Sequence, residues 1–429
     1  DPLQLDPCRP RRARRAGVGI EQRLGRTARD HRVSDGIGVL LVDVAGLAHA
    51  ALEPLNAVAQ KNGDLIEIWG GHQMPDLYQY IASQVAGVTP DKIKLHVMKT
   101  GGGFGRRAVG DADVVVEAVA VAKALDWKYA VKVQWTRDND MKGGRYRPAY
   151  VHRVKAGLDA NGAVIAWQNH IVGQSILAAS PFASMVTNGV DLTSVEGASN
   201  IPYGVPNLKV ELTTTETGVP VLWWRSVGST HTAYAVETFI DELAEAAGKD
   251  PVEFRLAMLE KHPRHAAVLK LAAEKADWGK ALPDGRHRGV ALAESFNTVV
   301  AQVVEITMPK EGGMKVERVV VAVDCGTVVN PDQVKAQVEG GVGFGLGAIL
   351  QEELSLTGGK VDQENYDAYT PLRINQMPVV EVHAVASDAA PTGIGEPGVP
   401  PLGPALANAV YAASKKRVRV LPFSKGLLS

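Results

Sequence analysis

Cysteine is nearly absent from this 429-residue chain: Cys8 and Cys325 are its only two. Two thiols exclude a disulfide-stapled scaffold and any iron–sulfur cluster held by four cysteines of this chain. Neither charge sign is in excess, since 46 Lys and Arg face 47 Asp and Glu for a net charge of −1. No global field therefore draws the chain toward nucleic acid or an acidic lipid surface. Apolar runs are short as well, and none reaches the roughly 18 residues from which a membrane-spanning helix is read, so no membrane span is expected. Several catalytic signatures are missing. No Gly-Lys-Ser/Thr follows a glycine loop, and no His-Glu-x-x-His, Cys-x-x-Cys or Gly-x-Ser-x-Gly occurs. These absences speak against a P-loop, a zinc site of those types and a serine-hydrolase elbow.

What is present reads as globular protein, with 45% apolar and 22% charged residues. Chain length allows roughly two to four domains. Residues 1–45 differ from the rest. Arginine is dense there (Arg9, Arg11, Arg12, Arg14, Arg15), and lysine is absent until Lys61. Three readings compete: a basic disordered arm, an out-of-frame translated stretch, or a targeting sequence. The apolar run Ile37–Val42 is too short for an export signal and is followed by Asp43, so localisation stays open. The chain opens on Asp1 rather than Met, and a processed form or a fragment is expected.

From residue 46 onward the periodicities are regular. Leu65–Trp69 and Lys92–Met98 alternate as strands, and between them Pro75 opens a helix that Gly87 stops. A long helix is expected from Asp111 or Asp113 to Leu125, then a strand over Val131–Arg137. Tyr150–Leu158 and Val164–Val172 flank Asn161-Gly162 and read as a hairpin. Leu208–Thr214 is a further strand, and Ala235–Ala247 an amphipathic helix. Asp250-Pro251-Val-Glu253 starts another helix with a capping signal, and a domain boundary is placed here. The expected division is 46–249 and 250–429. In the second part, Gly289–Glu294, Gln302–Met308, Lys315–Val323 and Val379–Ala386 read as strands. Val334–Leu350 reads as a helix rich in glycine, and Ala405–Ser414 as an apolar one. Glycines cost a helix stability, so close packing or a cofactor should compensate. Strands and helices alternate irregularly, which points to an α+β fold.

Two glycine clusters carry the candidate chemistry. Gly101-Gly-Gly-Phe-Gly105 lies between a strand and a helix. It is either an anion cradle of backbone N–H groups or a tight structural turn. Arg106 and Arg107 beside it are either phosphate partners or surface charges. The second cluster, Gly393-Ile-Gly-Glu396-Pro-Gly, fixes one carboxylate in a run of low backbone freedom. A lone Glu beside proline is ordinarily a solvated loop residue. The upstream cluster raises this one to a candidate base serving a bound cofactor. Isolated histidines such as His49, His96 and His231 are ordinarily structural or surface residues. Two rival readings remain: a nucleotide-binding dehydrogenase using the glycine loop, and a cofactor-free fragment or assembly module without turnover.

Five motifs in order then resemble one family. Gly101-Gly-Gly-Phe-Gly105, Arg225-Ser-Val-Gly228, Asp324-Cys-Gly-Thr-Val-Val-Asn-Pro331, Gln337-Val-Glu-Gly-Gly341 and Gly393-Ile-Gly-Glu-Pro397 are similar to the large subunit of molybdenum hydroxylases, the xanthine dehydrogenase and aldehyde oxidase family. Gly-Arg-Arg after the Phe, with Trp223-Trp-Arg225, most resembles the isoquinoline 1-oxidoreductase β-subunit branch. The resemblance covers about residues 47 to 420. It implies a two-domain molybdopterin-binding region that lacks the N-terminal half carried by chains of this branch. It implies molybdenum on a molybdopterin, commonly the cytosine dinucleotide, and iron–sulfur clusters on a small partner subunit. Members of the branch are often exported and pass electrons to cytochromes, so a periplasmic setting and a cytochrome acceptor are implied. By residue, the resemblance gives Glu396 the role of base and Arg225 that of orienting a small-molecule substrate. It sets Gln73 near a molybdenum oxygen, Gly102, Gly103, Phe104 and Gly105 against the metal, Gln337, Gly340 and Gly341 at the pterin, and Gly395 beside the base. Purine-oxidising relatives carry a second Glu where this chain has Ala108, so an N-heteroaromatic or an aldehyde is the expected substrate.

Overall fold

A computed structural model of the chain describes residues 40–44, 46–309 and 313–426. The Arg-rich stretch up to residue 39, with all three readings of it, lies outside the described residues. Leu40–Val44 (β1) belongs to the fold: it pairs antiparallel with Tyr150–Leu158, Leu40 opposite Val154.

A first layer is built from Asn56–Asn62 (β2), Leu65–Gly70 (β3), Pro75–Ala86 (α1), Ile93–Val97 (β4), Asp113–Ala124 (α2) and Val131–Gln134 (β5). The strands order as β4-β3-β2-β5, and both helices pack on the sheet. Gly87, in the left-handed region, caps α1 by donating its N–H to Ser83 O. The strand expected to reach Arg137 ends at Gln134 instead. Arg137–Lys142 (α3) turns away there because the Arg137 guanidinium donates to Asp140 and to Leu52 O.

The hairpin forms as expected from Tyr150–Leu158 (β6) and Val164–Gly173 (β7). Asp159 shapes its turn by accepting from the N–H groups of Asn161 and Ala163, and Gly162 supplies φ +71°. Leu208–Thr214 (β8) completes the sheet β1-β6-β7-β8. Ser229–Ala246 (α4) starts earlier than its apolar periodicity suggests and lies against this sheet. Asp250 then caps Pro251–Met258 (α5), accepting from Val252 and Glu253 N–H. Pro263–Lys275 (α6) follows.

The third sheet holds Arg286–Ser295 (β9), Thr298–Thr307 (β10), Lys315–Asp324 (β11) and, beyond Pro331–Leu350 (α7) and a separate two-stranded pair, Leu356–Thr357 (β12) with Lys360–Val361 (β13), the strand Val379–Ala384 (β14). Its order is β14-β11-β10-β9. β10 is buried from Thr298 to Ile306 because α6 and Leu402–Ser414 (α8) cover it. A short C-terminal turn, Phe423–Gly426 (α9), tucks Phe423 into the core. That core is continuous across the expected division at residue 250: Phe239 and Leu243 of α4 cluster with Val290 of β9 and Leu406 of α8.

Candidate active site

Three segments meet around Glu396, and a stack of rings holds them together. Phe104 of the glycine loop stacks on Phe344 of α7, which stacks in turn on Trp224, each pair 4.5 Å between centroids. Phe104 is held at φ +56°, a conformation that costs a bulky residue roughly 1–2 kcal/mol. Its carbonyl accepts the Arg225 N–H at 3.0 Å. Gly105 touches the same segment so closely that a Cβ there would lie 1.9 Å from the Trp223 carbonyl oxygen. His49 Nε2 also binds that oxygen, at 2.7 Å. Burial lowers the His49 pKa to about 4, so the ring is neutral.

Gln73 closes the loop from beneath. Its Oε1 accepts from Gly105 N–H and Arg107 N–H, each at 3.2 Å. Its Nε2 donates to no protein group among the described residues and is available to a bound molecule. The two arginines are neither surface charges nor at a helix terminus. Arg106 is buried, donating to Asp113 at 2.7 Å, and Arg107 is buried, donating to Gly102 O at 2.9 Å. Arg106–Ala112 separates Gly105 from the first residue of α2, and Ala112 enters that helix in a left-handed conformation. The glycine loop is therefore not the helix-N-terminal cradle the sequence allowed. A dinucleotide fold needs that placement, so the dehydrogenase reading is set aside.

On the facing side, Glu396 is half-buried and anchored twice by one residue. Ser226 N–H donates to Glu396 Oε2 at 2.9 Å, and Ser226 Oγ donates to the Glu396 carbonyl at 2.7 Å. The Oε1 atom accepts no hydrogen bond among the described residues. Burial pushes the Glu396 pKa up, opposed by the Ser226 N–H and by Arg225. Ser226 and Val227 sit at φ +73° and +49°, a strained turn in which Ser226 N–H faces Glu396 and Val227 N–H donates back to Trp224 O. Arg225 is committed to building the loop: Nε and Nη2 both donate to Gly395 O, at 2.9 and 2.5 Å, and Nη2 reaches Gln337 Oε1 at 3.2 Å. It thus joins α7 to the Glu396 segment.

The glycines divide into two kinds. Gly341 packs on the Gly398 backbone, a Cβ falling 3.1 Å from it, and Gly345 and Gly347 are crowded by Leu402 and Glu352. Among the described residues, and setting aside the adjoining chain, Gly395 has no protein atom within 4 Å of a Cβ, and Gly340 has only Arg225 Nη1 at 3.9 Å. Neither has positive φ. Neither backbone conformation nor protein packing accounts for these two, whereas a molecule lying against the Arg225–Glu396 seam would. Buried polar atoms without partners line the glycine-loop side: both ring nitrogens of His72 and Nη1 of Arg107. Among the described residues no group of His, Cys, Asp and Glu could hold a bare metal ion, and no helix is long and apolar enough to cross a membrane. The open Cβ positions of Gly340 and Gly395 and the orphaned polar atoms of His72 and Arg107 fit a polar bound cofactor.

Of the residues singled out from sequence, Gln73, Gly102, Gly103, Phe104, Gly105, Arg225, Gln337, Gly340, Gly395 and Glu396 converge on this region. Ser226 was missed, although it directly follows Arg225.

Sequence models of one family, described as the molybdopterin cofactor-binding domain, match residues 28–259 and 201–378. The chain is 34% identical over 386 residues to the isoquinoline 1-oxidoreductase subunit beta of Brevundimonas diminuta, covering 88% of this chain and 49% of that one. It is 32% identical to a membrane-bound aldehyde dehydrogenase of Gluconacetobacter polyoxogenes, whose name specifies pyrroloquinoline quinone, with 88% and 52% covered. The chain thus spans about half the length of these curated relatives. Among solved structures, quinoline 2-oxidoreductase from Pseudomonas putida 86 superposes with a TM-score of 0.77 at 15% identity, over 91% of this chain and 76% of that one, a likeness of fold.

Proposed function

The chain belongs to the molybdopterin-binding large subunits of the molybdenum hydroxylase family, and from that premise we propose that it oxidises an N-heteroaromatic or an aldehyde with oxygen drawn from water, with Glu396 as the base. One observation carries the reading: a half-buried carboxylate with one oxygen fixed by Ser226 N–H and the other free, beside glycines that no protein contact requires. When bound, the molybdenum centre would supply the two-electron oxidation. The chain's own residues do the rest. Gly340 and Gly395 leave room for the cofactor, and Gln337, Gln73 and the Gly102–Gly105 loop border it. Glu396 takes a proton at Oε1, and its raised pKa brings it closer to the neutral range in which a general base works best. Arg225 acts as a positioning residue, since its Nε and Nη2 donate to Gly395 and Gln337.

The finer assignments follow the same reading. The cofactor is the cytosine dinucleotide form. Electrons leave through iron–sulfur clusters on a small partner subunit, because two cysteines cannot hold them here, and reach a cytochrome. Ala108, in place of a second Glu, directs the site away from purines.

The test is Glu396→Gln in protein co-expressed with its partner. Molybdenum content should hold while turnover falls by at least ~10²-fold. Near-normal turnover in metal-replete protein would end the assignment. The alternative reading is an assembly module without turnover. Purified protein that carries no molybdenum, even with a partner present, would select it.

A further inference from the structure

A second carboxylate stands on the turn that holds Glu396. Glu196 lies in the loop between β7 and β8, and its Oε1 accepts the Gly228 N–H at 2.8 Å. Two residues earlier on the same turn, Ser226 N–H donates to Glu396 at 2.9 Å. One strained turn, with Ser226 at φ +73° and Val227 at +49°, thus serves two carboxylates with two N–H groups. The placement is rigid. A Cβ on Gly228 would lie 2.0 Å from Thr193 O and 2.9 Å from Glu196 Cγ. Thr232 Oγ1 donates to the Glu196 carbonyl at 2.7 Å, pinning that loop on the first turn of α4.

We infer that Glu196 is the second carboxyl of this site, a positioning residue that shares the Ser226–Gly228 turn with Glu396 and competes with it for negative charge; this rests on the reading of Glu396 as the base. The charged groups around the pair are few. Asp191, on the same loop, and Glu396 both disfavour a charge on Glu196, while the N–H groups of Gly228 and Ser229 favour it. Arg225 faces Glu396. Burial outweighs the two N–H groups and pushes the Glu196 carboxyl up to about 7. At pH 7, then, Glu196 is about half protonated, and below that it is mostly neutral. A neutral group at 196 leaves the free oxygen of Glu396 as the stronger candidate for proton abstraction. Loss of the Glu196 proton places like charges on one turn and raises the proton affinity of Glu396.

Glu196→Gln keeps an acceptor for Gly228 N–H and removes the charge. The experiment is an infrared titration of protonated carboxyl bands in the full chain without cofactor, assigned by Glu196→Gln and Glu396→Gln. The Glu196 midpoint should fall by roughly 0.5 pH unit or more in Glu396→Gln, which removes the charge facing it, whereas Glu396 loses its proton beside a still-neutral Glu196 and its midpoint should move little in Glu196→Gln. If Glu196→Gln fails to fold, the Glu396→Gln arm decides alone. An unmoved Glu196 midpoint in folded Glu396→Gln overturns the inference. A shift in the infrared with full turnover in Glu396→Gln would sink the base reading and leave the coupling intact, so the two failures are distinguishable.

Discussion

Gly340 separates what the protein needs from what its cofactor needs. It lies in the interior of α7, where glycine costs up to about 1 kcal/mol relative to alanine. A Cβ there meets only Arg225 Nη1, at 3.9 Å. Gly340→Ala should therefore raise the melting temperature of cofactor-free chain and lower molybdenum per chain after co-expression. Unchanged metal content would show that Gly340 does not border the cofactor. Gly105→Ala should do the opposite to the fold, because its Cβ would strike the Trp223 carbonyl and its φ is +107°. Such contrasts are not legible in a glycine run, which looks alike whether backbone or ligand occupies the space. Glu396 was legible because glycine and proline leave one titratable residue in its segment, and because four other motifs accompany it in order. Glu196 was not, because the chain folding of the β7–β8 loop alone brings it to Gly228. Arg225 was found by motif, but its bonds to Gly395 and Gln337 change what it can do.

At the scale of elements, α4 connects the site to the core. Ser226–Gly228 runs directly into it, and one buried carboxylate near its middle ties it to three neighbours. Glu237 accepts from Arg255 Nε of α5 and Leu292 N–H of β9, each at 2.9 Å, and from Tyr203 Oη at 2.5 Å. Glu237 and Arg255 are 1% and 0% exposed, so removing one leaves a desolvated charge. Arg255→Leu should destabilise by roughly 3–5 kcal/mol, read from urea midpoints at constant slope. Adding Glu237→Leu should restore part of that loss. A cost below about 1 kcal/mol for the single variant would contradict the pairing. Two of the elements that sequence revealed, α1 and the β6–β7 hairpin, carry their own start and stop chemistry in Pro75, Gly87 and Asn161-Gly162. Those it did not reveal lack one of these. In β2 the buried residues Ala57 and Ala59 are too small to register as an apolar alternation. The first turn of α6 is marked by Pro263, but its apolar residues are interrupted by Lys270 and Glu274.

At the scale of the whole molecule, the early and late parts of the chain close on each other beside the site. Tyr369 Oη donates to Ala48 O at 3.2 Å and to Glu352 Oε2 at 3.0 Å. Tyr366 Oη binds the carbonyls of Ala50 and Ala51, and Trp224 Nε1 that of Ala48. The α+β class was readable from irregular alternation, yet this seam and the core shared across residue 250 were not. Local periodicity reports which face of an element is apolar, not which distant face covers it. The seam contains a titratable group: burial raises the Glu352 carboxyl to about 7, against the Tyr369 hydrogen bond and Arg147. A carboxyl with a raised native pKa binds a proton in the folded state that the unfolded chain has released. Its stabilising contribution is thus complete below the unfolded value, near pH 4.5, and is lost as pH rises through about 7. Glu352→Gln removes that titration while keeping an acceptor for Tyr369. The stability of the variant relative to wild type should rise between pH 5 and 8.5 by up to ~3 kcal/mol, because a pKa unit is worth about 1.4 kcal/mol. Urea midpoints across that range measure it, and a difference that stays constant with pH would show that Glu352 is ionised in the fold throughout.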